Sequence, residues 1–155
     1  MERRQILSIH EYYSSNEVRN IAHGLKTGNL EAIKRASKEM AMLVDSSCVL
    51  VPIPSRRGYA TTTLELADTI SRQTGARVAD ILKGKKRESL YVLKADGKSF
   101  SSDMLGLWSD GIVPNGKLVF VDNVIATGTT MRAVDAILPN GFFLTWAMDS
   151  KAYLF

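Results

Sequence analysis

Residues 121–130 read Val-Asp-Asn-Val-Ile-Ala-Thr-Gly-Thr-Thr, and their types and spacing suit one kind of ligand. Gly128 allows close backbone approach, the N–H groups of 127–130 can converge on a monoester phosphate, and the hydroxyls of Thr127, Thr129 and Thr130 add donors without burying a counter-charge. With Ala126 they make a candidate phosphate cradle. About one sugar-width away, Asp122 and Asn123 offer the oxygen acceptors that vicinal ribose hydroxyls require. A sugar phosphate satisfies both ends.

Cations cluster in two other places. Ser55, Arg56, Arg57 and Gly58 share a loop, and Lys83, Lys85, Lys86 and Arg87 follow later, within a chain of net charge +4. Charge alone leaves an anionic ligand, a solvated surface and a nucleic-acid footprint open.

The elements that position these residues follow from hydrophobic periodicity. Residues 17–26 predict a short helix, with Ser14 and Glu17 at capping-box spacing, and about 30–44 predict a longer one whose stripe is Leu30, Ile33, Met40, Leu43 and Val44. Residues 48–53 are a continuous apolar run, as in a strand buried on both faces. Residues 60–74 return to helical period through Leu64, Ala67 and Ile70 and stop at Gly75, after which 76–82 predict a strand. A second unit runs from a strand at 117–122 through the Thr-Gly loop into a helix at about 129–138, and returns as Phe-Phe-Leu-Thr-Trp-Ala-Met. Such alternation implies a parallel sheet flanked by helices. Residues 83–116 are a polar excursion, expected to be a functional loop with a β-hairpin turn at Asp96-Gly97. Two ligand loops then sit where open α/β sheets bind ligands, beyond the carboxyl ends of strands.

At 155 residues and 45% apolar composition, one globular domain spanning 1–155 is expected. The longest apolar runs fall far short of the roughly 20 residues of a membrane-spanning helix, and the start has no signal-peptide core, so a cytoplasmic location is expected. One cysteine, Cys48, excludes an internal disulfide and reads as core, and with His10 and His23 it gives no zinc-ligand spacing.

On residues 118–130 the sequence resembles the type I phosphoribosyltransferase family, whose motif is an apolar strand, two acidic residues and a Thr-Gly-rich loop. The stretch Pro-Ser-Arg-Arg-Gly-Tyr-Ala-Thr-Thr-Thr-Leu-Glu-Leu-Ala-Asp-Thr-Ile (54–70) after the first strand looks like the family's pyrophosphate loop, with Arg57-Gly58 matching the Arg-Gly pair of adenine-type members. Residues 82–100 resemble its flexible catalytic loop. The resemblance implies a type I phosphoribosyltransferase fold with a small hood and phosphoribosyl pyrophosphate (PRPP) with Mg2+ as ligand. The reaction it implies is transfer of ribose 5-phosphate to a nucleobase, purine slightly favoured, with release of pyrophosphate. It assigns ribose to Asp122 and Asn123, the 5-phosphate to residues 126–130, and pyrophosphate to Ser55, Arg56, Arg57 and Gly58. Lys85, Lys86 and Arg87 join Asp122 as catalytic groups, magnesium is held by PRPP with Asp122 as its possible protein ligand, and Ser55–Arg56 matches a cis peptide bond. A homodimer is implied, whereas a membrane or nucleic-acid partner is not.

The second acid of the motif is replaced by Asn123, which can accept hydrogen bonds but carries no charge. A PRPP- or nucleotide-sensing regulator of the same fold is therefore the alternative. Another is a phosphoribosyltransferase-like protein associated with DNA uptake, whose loop also follows a Val-Pro-Ile-Pro-like run. Trp108, Trp146, Tyr12 and Tyr13 are the aromatic candidates for a base-binding hood, with core packing the competing role for the tryptophans. Residues 111–117 mimic a P-loop, but Leu118 stands where a Ser or Thr would bind magnesium and a strand follows, which excludes that reading.

Overall fold

Leu118 to Val121 illustrate how this chain builds its centre: alternate side chains of one strand enter two different apolar clusters, one on each face of a sheet. The computed structural model describes residues 5–88, 105–126 and 128–150. In chain order these form β1 (Ile6–Glu11), α1 (Asn16–Thr27), α2 (Leu30–Met40), a 3-10 turn (Ala41–Leu43), β2 (Cys48–Pro52) and α3 (Thr62–Thr74). There follow β3 (Arg77–Val78), β4 (Leu82–Lys83), β5 (Trp108–Ser109), β6 (Lys117–Ile125), α4 (Thr129–Asp135) and β7 (Phe142–Met148).

Five strands make one parallel sheet in the order β1-β7-β6-β2-β3. Val18, Leu25, Ile33, Met40, Leu66 and Ile70 of α1, α2 and α3 cover one face, with Leu50, Val119, Val121 and Trp146. Val134 of α4 and the following Leu138 cover the other, with Val49, Val51, Phe120 and Phe143. The expected parallel sheet with helices on both faces is therefore present.

Several boundaries differ from the sequence reading, each for a local reason. The N-cap of α1 is Ser15, whose Oγ accepts from Val18 N at 3.1 Å, and not Ser14; Glu17 pairs instead with Arg35 of α2. Ser15→Ala is accordingly expected to cost ~1 kcal/mol in a urea unfolding experiment, and Ser14→Ala almost nothing. Equal losses at the two positions would show that the cap is misassigned.

α2 stops at Met40, and two members of its expected stripe, Leu30 and Leu43, are 71% and 43% exposed. Leu30 is the first helical residue, and because helical side chains lean toward the N-terminus it overhangs the end of the helix. The strand expected at 76–82 pairs with β2 only at Arg77 and Val78; beyond Ala79, whose N–H donates to Leu50 O at 2.8 Å, the chain leaves the sheet. Asp80, ion-paired with Lys83 at 3.1 Å, is the polar residue at this departure. Leu82–Lys83 instead pairs antiparallel with Trp108–Ser109, so the ends of the 83–116 excursion meet in a two-stranded ribbon. The expected turn at Asp96-Gly97 lies outside the described residues.

β1 was absent from the expected elements. It is an edge strand of half-buried residues without clean alternation, and its parallel register with β7, from Ile6↔Phe143 to Glu11↔Met148, fixes it.

Candidate ligand site at the carboxyl edge of the sheet

Because the five strands are parallel, every loop that leaves a strand end emerges at one edge. The chain leaves β2 toward β3 on one side, but leaves β6 toward β7 on the other. The connections therefore part between β2 and β6, and at such a switch point the sheet edge opens into a crevice that nothing local fills. The two flanking loops are those beginning at residues 53 and 126.

The first loop is a tight hairpin. Ser55 N and Ser55 Oγ both donate to Tyr59 O at 3.0 Å, and Gly58 N donates to Ser55 O at 3.0 Å. Gly58 takes a φ of +94°, which supplies the chain reversal, and the Ser55–Arg56 bond is trans rather than the cis bond implied by the family resemblance. The hairpin docks on the segment after β4 through Gly84 N to Gly58 O at 2.8 Å and Arg87 N to Arg56 O at 2.9 Å. Two cationic segments far apart in sequence are thus joined by backbone hydrogen bonds. Burial, and then repulsion from Arg56, holds the Arg87 guanidinium below its ordinary pKa. Lys85 and Lys86 are exposed.

Beside the hairpin lies a cavity of about 370 Å³ lined by Lys26, Thr27, Ser55, Arg56, Arg57, Thr61 and Thr62. Three cations and four hydroxyls face it, and no carboxylate lines it. Ion pairs at His10–Glu39, Arg35–Glu17, Arg35–Glu39 and Lys83–Asp80 lie elsewhere. An uncompensated cationic cavity with hydroxyl donors is chemically an anion site.

Asp122 and Asn123 lie within β6, which runs three residues past the expected end at 122. Asp122 lies just beyond the last β2 pairing, Pro52↔Val121, so it stands at the mouth of the crevice. Consecutive strand residues point to opposite faces, and the two side chains part. Asn123 is buried, 8% exposed; its Nδ2 donates to Thr62 Oγ1 at 3.1 Å, while its Oδ1 is buried with no hydrogen-bond partner. Asp122 Oδ1 accepts from Asn123 N at 2.8 Å. Burial pushes the Asp122 carboxyl up to about 7, against the opposing effects of the Asn123 N–H and of Lys26. Although part of Asp122 remains accessible at the crevice, its carboxyl is poorly solvated, and burial dominates.

In the second loop Ala126 is exposed and Gly128, with a φ of +78°, caps α4. Thr129 is buried and its Oγ1 accepts from Arg132 at 3.4 Å, and Thr130 is half-buried; Thr127 lies outside the described residues. Asp122, Asn123, residues 55–58, Ala126 and residues 128–130 thus occupy adjacent loops or strand ends at one edge of the sheet, and residues 85–87 reach it through the hairpin.

Sequence reasoning missed Lys26 and Thr27, and it included Thr61 and Thr62 in the pyrophosphate-loop stretch without giving either a role. The two threonines at α3 had a signal, since they follow the Arg-Arg-Gly loop and open a helix. Lys26 had none, because it reads as an ordinary last-turn cation. Of the hood candidates, Trp146 is fully buried against His10, with ring centroids 4.6 Å apart, and belongs to the core. Trp108 is half-exposed on the two-stranded ribbon, and Tyr12 and Tyr13 stack edge-on at 4.9 Å just past β1. Among the described residues, no helix is long and apolar enough to cross a membrane.

No protein-family model matches the chain, and comparison with curated proteins gives no match. Among solved structures it is similar to the allosteric regulatory enzyme of purine biosynthesis, at 19% identity and a TM-score of 0.45 over 74% of this chain and 25% of that one. It is also similar to orotate phosphoribosyltransferase from Aeropyrum pernix, at 20% identity and a TM-score of 0.39 over 78% of this chain and 59% of that one. A third is adenine phosphoribosyl transferase from Trypanosoma brucei, at 16% identity and a TM-score of 0.40 over 80% and 67% of the two chains. The chain thus spans a quarter of the first and 59% of the second, and at these TM-scores none of the three decides what it binds.

Proposed function

We propose that this chain binds PRPP at the β2–β6 crevice and transfers its ribose 5-phosphate to a nucleobase, purine slightly favoured. The observation that carries this is the cationic cavity, lined by Arg56 and Arg57 and adjoining the β6 residues whose sequence resembles a PRPP motif. In this reading Asp122 accepts from the ribose hydroxyls, residues 126–130 receive the 5-phosphate, and Ser55, Arg56, Arg57 and Gly58 receive pyrophosphate.

The reaction is a displacement at the anomeric carbon: the bond to pyrophosphate breaks, the bond to a base nitrogen forms as that nitrogen gives up its proton to solvent, and positive charge grows on the sugar between. Arg56, Arg57 and Arg87 favour the departing negative charge, and Asp122, when ionised, favours the growing positive one. Lys85 and Lys86 join them from the segment that the hairpin holds. Magnesium would be carried in by the phosphate oxygens, which suit a hard cation, with the Asp122 carboxylate as its protein neighbour. Bound there, the ion would screen pyrophosphate charge.

A second reading, PRPP sensing without turnover, is favoured by Asn123. Buried and tied to Thr62, it brings no negative charge to a cationic transition state. Calorimetric titration with PRPP and magnesium, followed by a pyrophosphate-release assay over adenine, guanine, hypoxanthine, xanthine, uracil and orotate, tests both. Binding with release supports the transferase and names its base, binding without release supports the sensor, and absence of binding sinks the proposal.

A further inference from the structure

We infer that Lys26, at the end of α1, is a ligand-binding residue of the cationic cavity and selects a diphosphate over a monophosphate there. The inference rests on the PRPP reading and names a determinant that the family resemblance, which begins at about residue 48, does not reach.

A basic residue in the last turn of a helix has an ordinary explanation, since the carbonyl end of the helix dipole favours a cation. Lys38 of α2 and Arg72 of α3 occupy the same place in their helices, and neither lines the cavity. Lys26 does, and Thr27 beside it does too. The position is fixed by a well-formed helix end: Gly28 takes a φ of +78° and its N–H turns back to Gly24 O and Leu25 O, while Leu25, one residue before Lys26, is fully buried. Lys26 is also the cation that acts on the Asp122 carboxyl, the smallest of the three influences on it.

Charge matching sets the ligand class. Lys26, Arg56 and Arg57 present three positive charges from two separate elements, α1 and the hairpin. A phosphate monoester carries about −1.5 to −2 at neutral pH and would leave one cation unsatisfied. A diphosphate carries more charge over a longer span, and can meet the two arginines with one phosphoryl group and Lys26 with the other. Asn123 braces the cavity wall from behind, its Nδ2 donating to Thr62 Oγ1 at 3.1 Å.

The test compares the parent with Lys26→Met, which keeps most of the stem and removes the charge, and with Lys26→Arg, which restores it. Calorimetry with inorganic pyrophosphate, inorganic phosphate and PRPP is the readout, with far-UV circular dichroism and melting curves to confirm that each variant is folded. Lys26→Met is expected to weaken pyrophosphate at least 10-fold and phosphate less than 2-fold, and Lys26→Arg to recover most of the difference. Arg56→Met is expected to weaken both anions. Equal losses for the two anions in Lys26→Met, or none, overturn the inference even if the parent binds PRPP. A parent that binds pyrophosphate but not PRPP overturns the PRPP reading, and the pyrophosphate-to-phosphate ratio still decides the role of Lys26. A parent that binds neither overturns both.

Discussion

Alanine at position 122 is expected to lower PRPP affinity at least 100-fold, and at the same time to make the ligand-free protein less sensitive to pH. The first effect follows from the proposed ribose contact, since hydrogen bonds to an ionised group are worth roughly 1.5–3 kcal/mol each and two hydroxyls are involved. The second follows from burial. The Asp122 carboxyl is pushed from an ordinary 3.8 up to about 7, so between those values the folded chain holds a proton that the unfolded chain has released. Stability from this group therefore falls as pH rises from 4 to 7, and the full cost of the buried charge is present above 7. A shift of that size corresponds to an order of ~4 kcal/mol. Urea midpoints at pH 5 and pH 8 should thus differ more for the parent than for Asp122→Ala, with Asp122→Asn as the shape-conserving control. Identical pH dependence in all three would show that this carboxyl is not destabilised by folding. Undiminished PRPP affinity would show that it does not hold the ribose.

A group that destabilises the free protein and serves the ligand is the sort of residue that sequence reading finds best, because it breaks the local pattern. Val119 and Val121 fill one apolar cluster, Leu118 and Phe120 the other, and then Asp122 and Asn123 interrupt a strand that continues to Ile125. Apolar β6 and β7 were equally legible, for their runs are long and buried on both faces. β1 was not, because an edge strand needs only one partner and leaves its side chains half-buried, so Ser8 and His10 blur the period. His10 is instead held by Glu39 of α2 at 2.7 Å, a contact between residues distant in sequence that no local pattern announces.

The site shows the same division. Its loops were visible because glycine, arginine and threonine cluster there in sequence. Lys26 was invisible because its role depends on where the end of α1 falls relative to β2 and β6, a matter of topology. The order β1-β7-β6-β2-β3 requires the chain to cross from one edge strand past two others before forming β2, and α1 and α2 make that crossing. The end of α1 thereby reaches the cavity at the switch point.

The docking of the hairpin on the segment after β4 leads to the other large effect. Gly58→Ala is expected to destabilise the protein by roughly 2–4 kcal/mol and to weaken pyrophosphate binding about 10-fold or more. Two costs combine. At a φ of +94° any side chain is strained, and a Cβ there would lie 2.4 Å from Gly84 O, a backbone atom that cannot swing aside. Relief of the clash must separate the hairpin from Gly84, which breaks the 2.8 Å bond between Gly84 N and Gly58 O and shifts Arg56 away from Arg87. Gly111→Ala provides the comparison, because Gly111 has a φ of +93° and nothing within 4 Å of its added Cβ. It carries the strain without the clash and lies outside the cationic loops. If chemical denaturation and pyrophosphate titration gave the same losses for both variants, the close approach of the two loops would not be what holds the arginines together. A loss of affinity confined to Gly58→Ala shows that the cationic site is assembled through the backbone of Gly58 and Gly84, so that the spacing of Arg56 and Arg87 is set before any anion arrives.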